Sequence, residues 1–291
     1  MTTVHRVGIL GATWMGPGLA EIVSLKGYEA VLVDQTVELL DGARAEVEQS
    51  LNAQLEKWAV TELEKRLILS RITFSTDFDE LATCDVVIET QLGDVDRRKE
   101  TFAYLDRLCK RNILLAMNTS TLSVTEIAQA TSRPARVIGL HFLAPVIRTQ
   151  VVEVVRGLKT SDATFHEARA FVEDLGKTGV EVYESPGFVT TRLILPMIND
   201  AAIALMEGVA SAEGIDTAMS LGFEMAKGPL EIADRIGLDT LLIMLERMWR
   251  EYGDLKYRPA SLLRKLVRAG HLGLKTGQGF FKYDKEGRRL H

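Results

Sequence analysis

Val7-Gly8-Ile9-Leu10-Gly11-Ala12-Thr13-Trp14-Met15-Gly16-Pro17-Gly18 is an apolar run punctuated by glycines. The apolar residues after Val4 read as a buried parallel strand, Gly11 and Gly16 bracket a tight turn, and Leu19 to Leu25 continue as a helix. Such a strand-turn-helix aims the first backbone N–H groups of the helix, and its dipole, at a pyrophosphate. A second strand, Ala30-Val31-Leu32-Val33, ends in Asp34, twenty-three residues past Gly11. A carboxylate there accepts hydrogen bonds from a ribose diol and repels the extra phosphate of NADP, so the expected cofactor is NAD. The turn is irregular. Thr13 stands where glycine normally lets the backbone approach the pyrophosphate, and bulky Trp14 follows it. Gly11, Ala12, Thr13, Trp14, Met15, Gly16 and Asp34 are the candidate cofactor contacts here.

With 291 residues the chain is long enough for two domains. A net charge of −5 and the lack of a basic cluster argue against nucleic acid. No apolar run approaches a membrane span, and the first strand begins too early to leave room for a signal peptide. Two cysteines, Cys84 and Cys109, make neither a disulfide framework nor a zinc site, which fits a reducing cytoplasm; no metal is expected.

From Val37 to about Ser70 the pattern is helical, with a turn near Val60-Thr61, and predicts a hairpin projecting from the sheet. Ser50 and Lys57, seven residues apart, share a helix face; they are either solvated or hold an anionic, phosphate-bearing arm of a substrate. Strands then resume at Ile72-Phe74, Asp85-Glu89 and Ile113-Met117, at βαβ spacing, predicting a parallel sheet with its ligand beyond the carboxyl ends. Glu89 falls at such an end and reads as structural or cofactor-facing, and Arg98 in the next helix joins it as a cofactor candidate. The Asn118-Thr119-Ser120-Thr121 turn also falls there, and Ser123 with Glu126 predicts a capping box.

Val137 to Phe142 is another strand and carries His141; Glu153 sits twelve residues on, inside Val151-Val152-Glu153-Val154-Val155. A lone buried carboxylate costs several kcal/mol, roughly, unless it is paired. His141 is the nearest titratable partner, and a Glu-oriented imidazole is a general base with its tautomer set. His5, His166, His271 and His291 have no comparable setting. After Glu184-Ser185-Pro186-Gly187-Phe188 the pattern is helical, so residues 1–185 are expected to form the nucleotide-binding domain and 186–291 an all-helical one. The glycine-rich tail from Gly273 to Phe281 carries Lys275, a further cofactor candidate, and the residues after Asp284 are expected to fray.

The Asn118-Thr119-Ser120 turn, His141-Phe142 with Pro145, Glu153, Pro186-Gly187-Phe188, Gly228-Pro229-Leu230, Gly237-Leu238-Asp239-Thr240, Lys256-Tyr257-Arg258-Pro259 and Lys275-Thr276-Gly277 together resemble the 3-hydroxyacyl-CoA dehydrogenase family, nearest its bacterial 3-hydroxybutyryl-CoA members. The resemblance spans nearly the whole chain. It implies a Rossmann domain followed by a helical dimerisation domain, NAD, an acyl-CoA substrate and a homodimer. It also implies a His-Glu dyad, His141 and Glu153, taking the proton of a 3-hydroxyl, with Ser120 bonding the reacting oxygen. Ser50 and Lys57 take the places of the residues that hold the CoA arm.

The chain departs from the family's pattern at functional positions. Thr13 replaces a glycine, Gly93-Asp94 a Glu-Asn pair near the nicotinamide, and Ala144 and Thr191 two asparagines. The asparagine at position 191 is held to bond the substrate carbonyl, and losing one such donor costs on the order of a hundredfold in rate. Thr191 keeps a hydroxyl and is the remaining catalytic candidate. Three readings stay open: a dehydrogenase of a 3-hydroxyacyl thioester, on CoA or an acyl carrier protein; the same dyad running non-redox chemistry; and a binding or scaffolding member.

Overall fold

Short runs of Val, Ile and Leu, buried on both faces, become the central strands of the first of two units, Met1–Ser185 and Pro186–His291. The computed structural model describes residues 4–91 and 93–290, so His291 lies outside the described residues. In chain order the first unit runs β1 (Arg6–Leu10), α1 (Gly16–Leu25), β2 (Glu29–Val33), α2 (Val37–Glu56), α3 (Glu62–Ser70), β3 (Ile72–Ser75), β4 (Val86–Glu89), α4 (Val95–Leu108), β5 (Leu114–Met117), α5 (Val124–Ala128), β6 (Val137–Phe142), β7 (Val151–Arg156), α6 (Asp162–Asp174) and β8 (Thr178–Tyr183). One sheet holds all eight strands in the order β3-β2-β1-β4-β5-β6-β7-β8. The chain builds outward from β1 in one direction and then, from β4, in the other. The carboxyl ends of β1 and β4 therefore flank a topological switch point, where open α/β sheets bind their ligands.

The sheet is not wholly parallel, which corrects the expectation from strand spacing. β6 and β7 pair antiparallel, with His141 opposite Glu153 and Phe142 opposite Val152. The link between them, residues 143–150, contains no helix, so the chain doubles back instead of crossing over.

The expected hairpin is α2 and α3, and both helices pack on α1 and β3. Leu40, Ala43, Val47 and Leu51 give α2 one buried stripe. At the start of α3, the Glu64 N–H donates to Thr61 Oγ1 at 3.2 Å and the Thr61 N–H to Glu64 Oε2 at 2.7 Å, a reciprocal capping box. The box expected at Ser123 is only half made. Ser123 caps α5 through the Glu126 N–H, but the Glu126 carboxylate turns to Lys99, which offers a charge 2.5 Å away.

The second unit comprises α7 (Thr190–Met206), α8 (Ala212–Gly222), α9 (Pro229–Ile236), α10 (Leu238–Tyr252), α11 (Ser261–Arg268), β9 (Lys282–Tyr283) and β10 (Arg289–Leu290). Leu195, Ile198, Leu241, Leu245, Met248 and Leu263 form its core. It is not all helical, and residues 285–290 do not fray. β10 pairs antiparallel with β9, because the Asp284 carboxylate closes the turn on the N–H and Nε of Arg288, both at 2.8 Å. Buried Asp234 of α9 holds the tail, accepting from the N–H groups of Phe280 and Phe281 and from the Tyr283 hydroxyl. Among the described residues, no helix is long and apolar enough to cross a membrane and no cluster is suited to a metal ion. Cys84 and Cys109 are buried and form no disulfide.

Candidate active site in the first unit

The turn after β1 is shaped for close backbone contact. Gly11 has φ +116°, and a Cβ on Gly16 would lie 2.0 Å from the Gly11 carbonyl oxygen, so only glycine fits. Trp14 also adopts a left-handed backbone, φ +57°, which lets the Met15 N–H reach back to the Thr13 carbonyl at 2.7 Å. Helix α1 then starts with no side-chain cap and no acidic residue in its first turn. Asp34, buried at the end of β2, accepts from the Ala12 N–H at 2.6 Å and from the Gln35 N–H at 2.7 Å. A glycine turn at the switch point, an uncapped helix start and an acid at the next strand end fit a dinucleotide.

His141 and Glu153 meet across the antiparallel strands. Glu153 is 1 % exposed and His141 6 %, and His141 Nδ1 lies 2.5 Å from Glu153 Oε2. A carboxylate on Nδ1 fixes the proton there and leaves Nε2 as the basic nitrogen of the neutral ring. The loop after His141 is pinned by Lys177, whose buried ammonium donates to the carbonyls of Val146 and Thr149 at 2.6 and 2.7 Å. Burial lowers the pKa of this lysine.

Between these two features lie the ends of β4 and β5. Glu89 is completely buried; its Oε1 accepts from the Gln91 N–H at 2.7 Å and its Oε2 lies 3.3 Å from Arg98 Nη1 without a hydrogen bond. Burial, only partly offset by Arg98, pushes the Glu89 carboxyl up to about 7. Arg98 is itself buried, and donates from Nη1 to the Asn118 carbonyl at 3.1 Å and from Nη2 to the Gln91 carbonyl at 2.5 Å. Ser120 follows in the same turn, half-buried, while Thr119 Oγ1 accepts from the Leu122 N–H and shapes the turn.

Comparison with known proteins bears on what this arrangement is for. Residues 6–185 match the NAD binding domain of 3-hydroxyacyl-CoA dehydrogenase, and residues 187–283 match its C-terminal domain. The chain belongs to the 3-hydroxyacyl-CoA dehydrogenase family. It is 43% identical, over 278 residues, to a probable 3-hydroxybutyryl-CoA dehydrogenase of Deinococcus radiodurans, covering 96% of this chain and 100% of the relative. It is 42% identical, over 280 residues, to the 3-hydroxybutyryl-CoA dehydrogenase of Bradyrhizobium diazoefficiens, covering 96% of each. The crystal structure of an (S)-3-hydroxybutyryl-CoA dehydrogenase from Ralstonia eutropha superposes with a TM-score of 0.89 at 42% identity, covering 97% of this chain and 100% of the other.

The residues that set this member of the family apart sit as follows. Gly93 is half-buried before α4, with Asp94 capping that helix through the Arg97 N–H at 2.9 Å. Ala144 is exposed in the link between β6 and β7. Thr191 is buried in the first turn of α7. In the second unit, Lys275 Nζ lies 2.8 Å from Asp239 Oδ1 and 2.9 Å from Thr240 Oγ1, at the start of α10. On the hairpin, Ser50 is half-buried and its Oγ accepts from Gln54 Nε2 at 3.3 Å, whereas Lys57 is exposed beyond the last residue of α2. Ser50 thus bonds within its own helix, to Gln54, whose amide also donates to Glu21 of α1 at 2.5 Å. Sequence reasoning missed Lys177 and the roles of Thr90 and Asn118 in tying strand ends together. The Thr90 hydroxyl donates to the Gly11 carbonyl at 3.0 Å, a contact between residues 79 apart.

Proposed function

We propose that this protein is an NAD-dependent oxidoreductase that interconverts a 3-hydroxyacyl thioester and the 3-oxoacyl thioester, with a substrate of the 3-hydroxybutyryl-CoA class. The observation that carries the reading is the buried His141–Glu153 pair at the end of β6. Glu153 sets the imidazole tautomer and stabilises the cation formed when His141 Nε2 takes the proton of the 3-hydroxyl. In the reverse direction the same nitrogen returns that proton. Ser120 donates a hydrogen bond to the reacting oxygen, and Thr191 offers a hydroxyl to the thioester carbonyl. NAD, when bound, supplies the hydride acceptor; the turn from Gly11 to Gly16 would take its pyrophosphate and Asp34 its ribose, with Glu89, Arg98 and Lys275 as further residues of its binding site.

Ser50 and Lys57 are the candidates for the CoA arm, and Lys57 is the one whose charge faces solvent. The carrier is CoA or an acyl carrier protein, and the working form is read as a homodimer in the cytoplasm.

The test is NADH oxidation, followed by absorbance, with acetoacetyl-CoA, comparing the protein with its His141→Ala variant. Oxidation that the substitution removes supports the reading. Oxidation that survives it discards His141 as the base. No oxidation with either CoA or carrier-protein thioesters, alongside measurable NADH binding, turns the assignment toward non-redox chemistry on the same dyad.

A further inference from the structure

Strand β6 outruns its neighbour. Its last partners on the β5 side are Met117 and Gly139, yet β6 continues through His141 to Phe142. The N–H of buried Phe142 would have no strand to bond, and a buried orphan donor is a place where a strand end peels away. Asn118 supplies the missing acceptor. Its Oδ1 takes the Phe142 N–H at 3.0 Å, extending the ladder with a side chain where the β5 backbone has turned off.

Asn118 is itself held at both of its backbone polar groups. Its N–H donates to the Glu89 carbonyl at 2.7 Å, and its carbonyl accepts from Arg98 Nη1 at 3.1 Å. Arg98 is anchored in turn on the Gln91 carbonyl and beside the Glu89 carboxylate. The residue that clamps the chain next to His141 is also two residues from Ser120, in the same turn.

We infer that Asn118 is a positioning residue that sets the spacing between Ser120 and His141, with Arg98 and Glu89 holding it in place. This rests on the reading that Ser120 and His141 share the reacting oxygen. Asn118 touches neither that oxygen nor the cofactor in this role. Its effect is on geometry, and a misplacement near 1 Å costs about a hundredfold in rate.

The experiment compares Asn118→Leu, similar in size but without an acceptor, with Asn118→Asp, which keeps one. Three quantities are read: exchange of the Phe142 amide hydrogen, the Kd for NADH, and kcat and KM with acetoacetyl-CoA. The Leu variant is expected to speed Phe142 exchange and to lose between about tenfold and a hundredfold in kcat, with KM and the NADH Kd nearly unchanged. The Asp variant is expected to recover most of both losses. Wild-type exchange and kcat in the Leu variant overturn the inference, and so do equal losses in Leu and Asp. If the Leu variant does not fold, Asn118→Ala, which also lacks an acceptor, carries the same readouts. Should the unaltered protein not turn over acetoacetyl-CoA, the proposed function fails on its own, and Phe142 exchange across the variants still decides whether the clamp exists.

Discussion

His141 and Glu153 are direct cross-strand partners, and their 2.5 Å contact is built into the register of β6 against β7. The register places both side chains on one face of the sheet, where opposed residues have Cβ atoms about 4.5–5.5 Å apart. A one-residue slip would send one of them to the other face. The dyad is therefore as rigid as the sheet, and needs no loop to bring base and carboxylate together. Under the proposed function, that rigidity sets the tautomer before a substrate arrives.

Substituting Glu153→Gln tests the carboxylate apart from the fold. The amide keeps the shape but removes the charge that stabilises protonated His141 and can present its NH₂ to Nδ1, favouring the wrong tautomer. A fall in kcat of about 10²–10⁴ is expected, the range that general-base catalysis supplies. NADH affinity should stay within about twofold, because the nucleotide turn is separate from this contact. Wild-type kcat in the variant would reduce the pair to a structural ion pair.

At Asp34 the carboxylate holds the turn, and under the proposed function it also takes the cofactor ribose. It accepts from the N–H groups of Ala12 and Gln35, so Asp34→Ala orphans both donors, whereas Asp34→Asn keeps a single acceptor oxygen. A hydrogen bond to a charged group is worth about 1.5–3 kcal/mol, so the NADH Kd should rise roughly tenfold to a hundredfold in the Asn variant. The ratio of NADPH to NADH affinity should rise with it, because the repulsion of a 2′-phosphate is gone. Titration of nucleotide fluorescence reads both; an unchanged NADH Kd removes the ribose assignment.

Much of this site was legible in the chain because it follows from local rules. The glycine turn and Asp34 stand at fixed offsets, and Glu153 is an acid in an otherwise apolar strand that demands a partner. What stayed hidden depends on contacts across long separations. Nothing local says that Arg98 will turn inward to the carbonyls of Gln91 and Asn118, or that Lys177 will pin the loop after His141. The antiparallel pairing of β7 was hidden too, since an apolar run carries no direction. The strands at Lys282–Tyr283 and Arg289–Leu290 are two residues each, too short for any period to show.

The Glu89 carboxyl makes stability depend on pH in a defined direction. Its pKa in the fold is raised to about 7 by burial, above that of a carboxylate in the unfolded chain. The folded state therefore binds this proton more tightly, and the group's contribution is fully present below pH ~4.5 and is lost as pH rises through about 7. The slope is bounded near 1.4 kcal/mol per pH unit for one proton, roughly. Glu89→Gln, which is neutral at every pH, should flatten the stability curve across this window. Thermal unfolding of both proteins from pH 4.5 to 8 measures it, the range set by the shift to about 7. Parallel curves would mean that Glu89 stays ionised throughout.

Thr191 offers the sharpest test of what acyl group this member of the family handles. It is buried in the first turn of α7, where the family's pattern places an asparagine that meets the substrate carbonyl. A threonine hydroxyl is shorter than the amide and reaches less far, so a thioester carbonyl seated for an amide donor would be bonded weakly. Thr191→Asn should therefore raise kcat with acetoacetyl-CoA by about tenfold, a fraction of the roughly 10²–10³ that removing a whole oxyanion donor costs, because under the proposed function the hydroxyl supplies part of that donation. The added bulk in a packed site costs about 1–3 kcal/mol of stability, which thermal unfolding would register separately. If kcat falls while the fold survives, the pocket around position 191 has been reshaped for a different acyl group, and a screen of longer and branched 3-oxoacyl thioesters would find the wild-type protein faster than the variant on its own substrate.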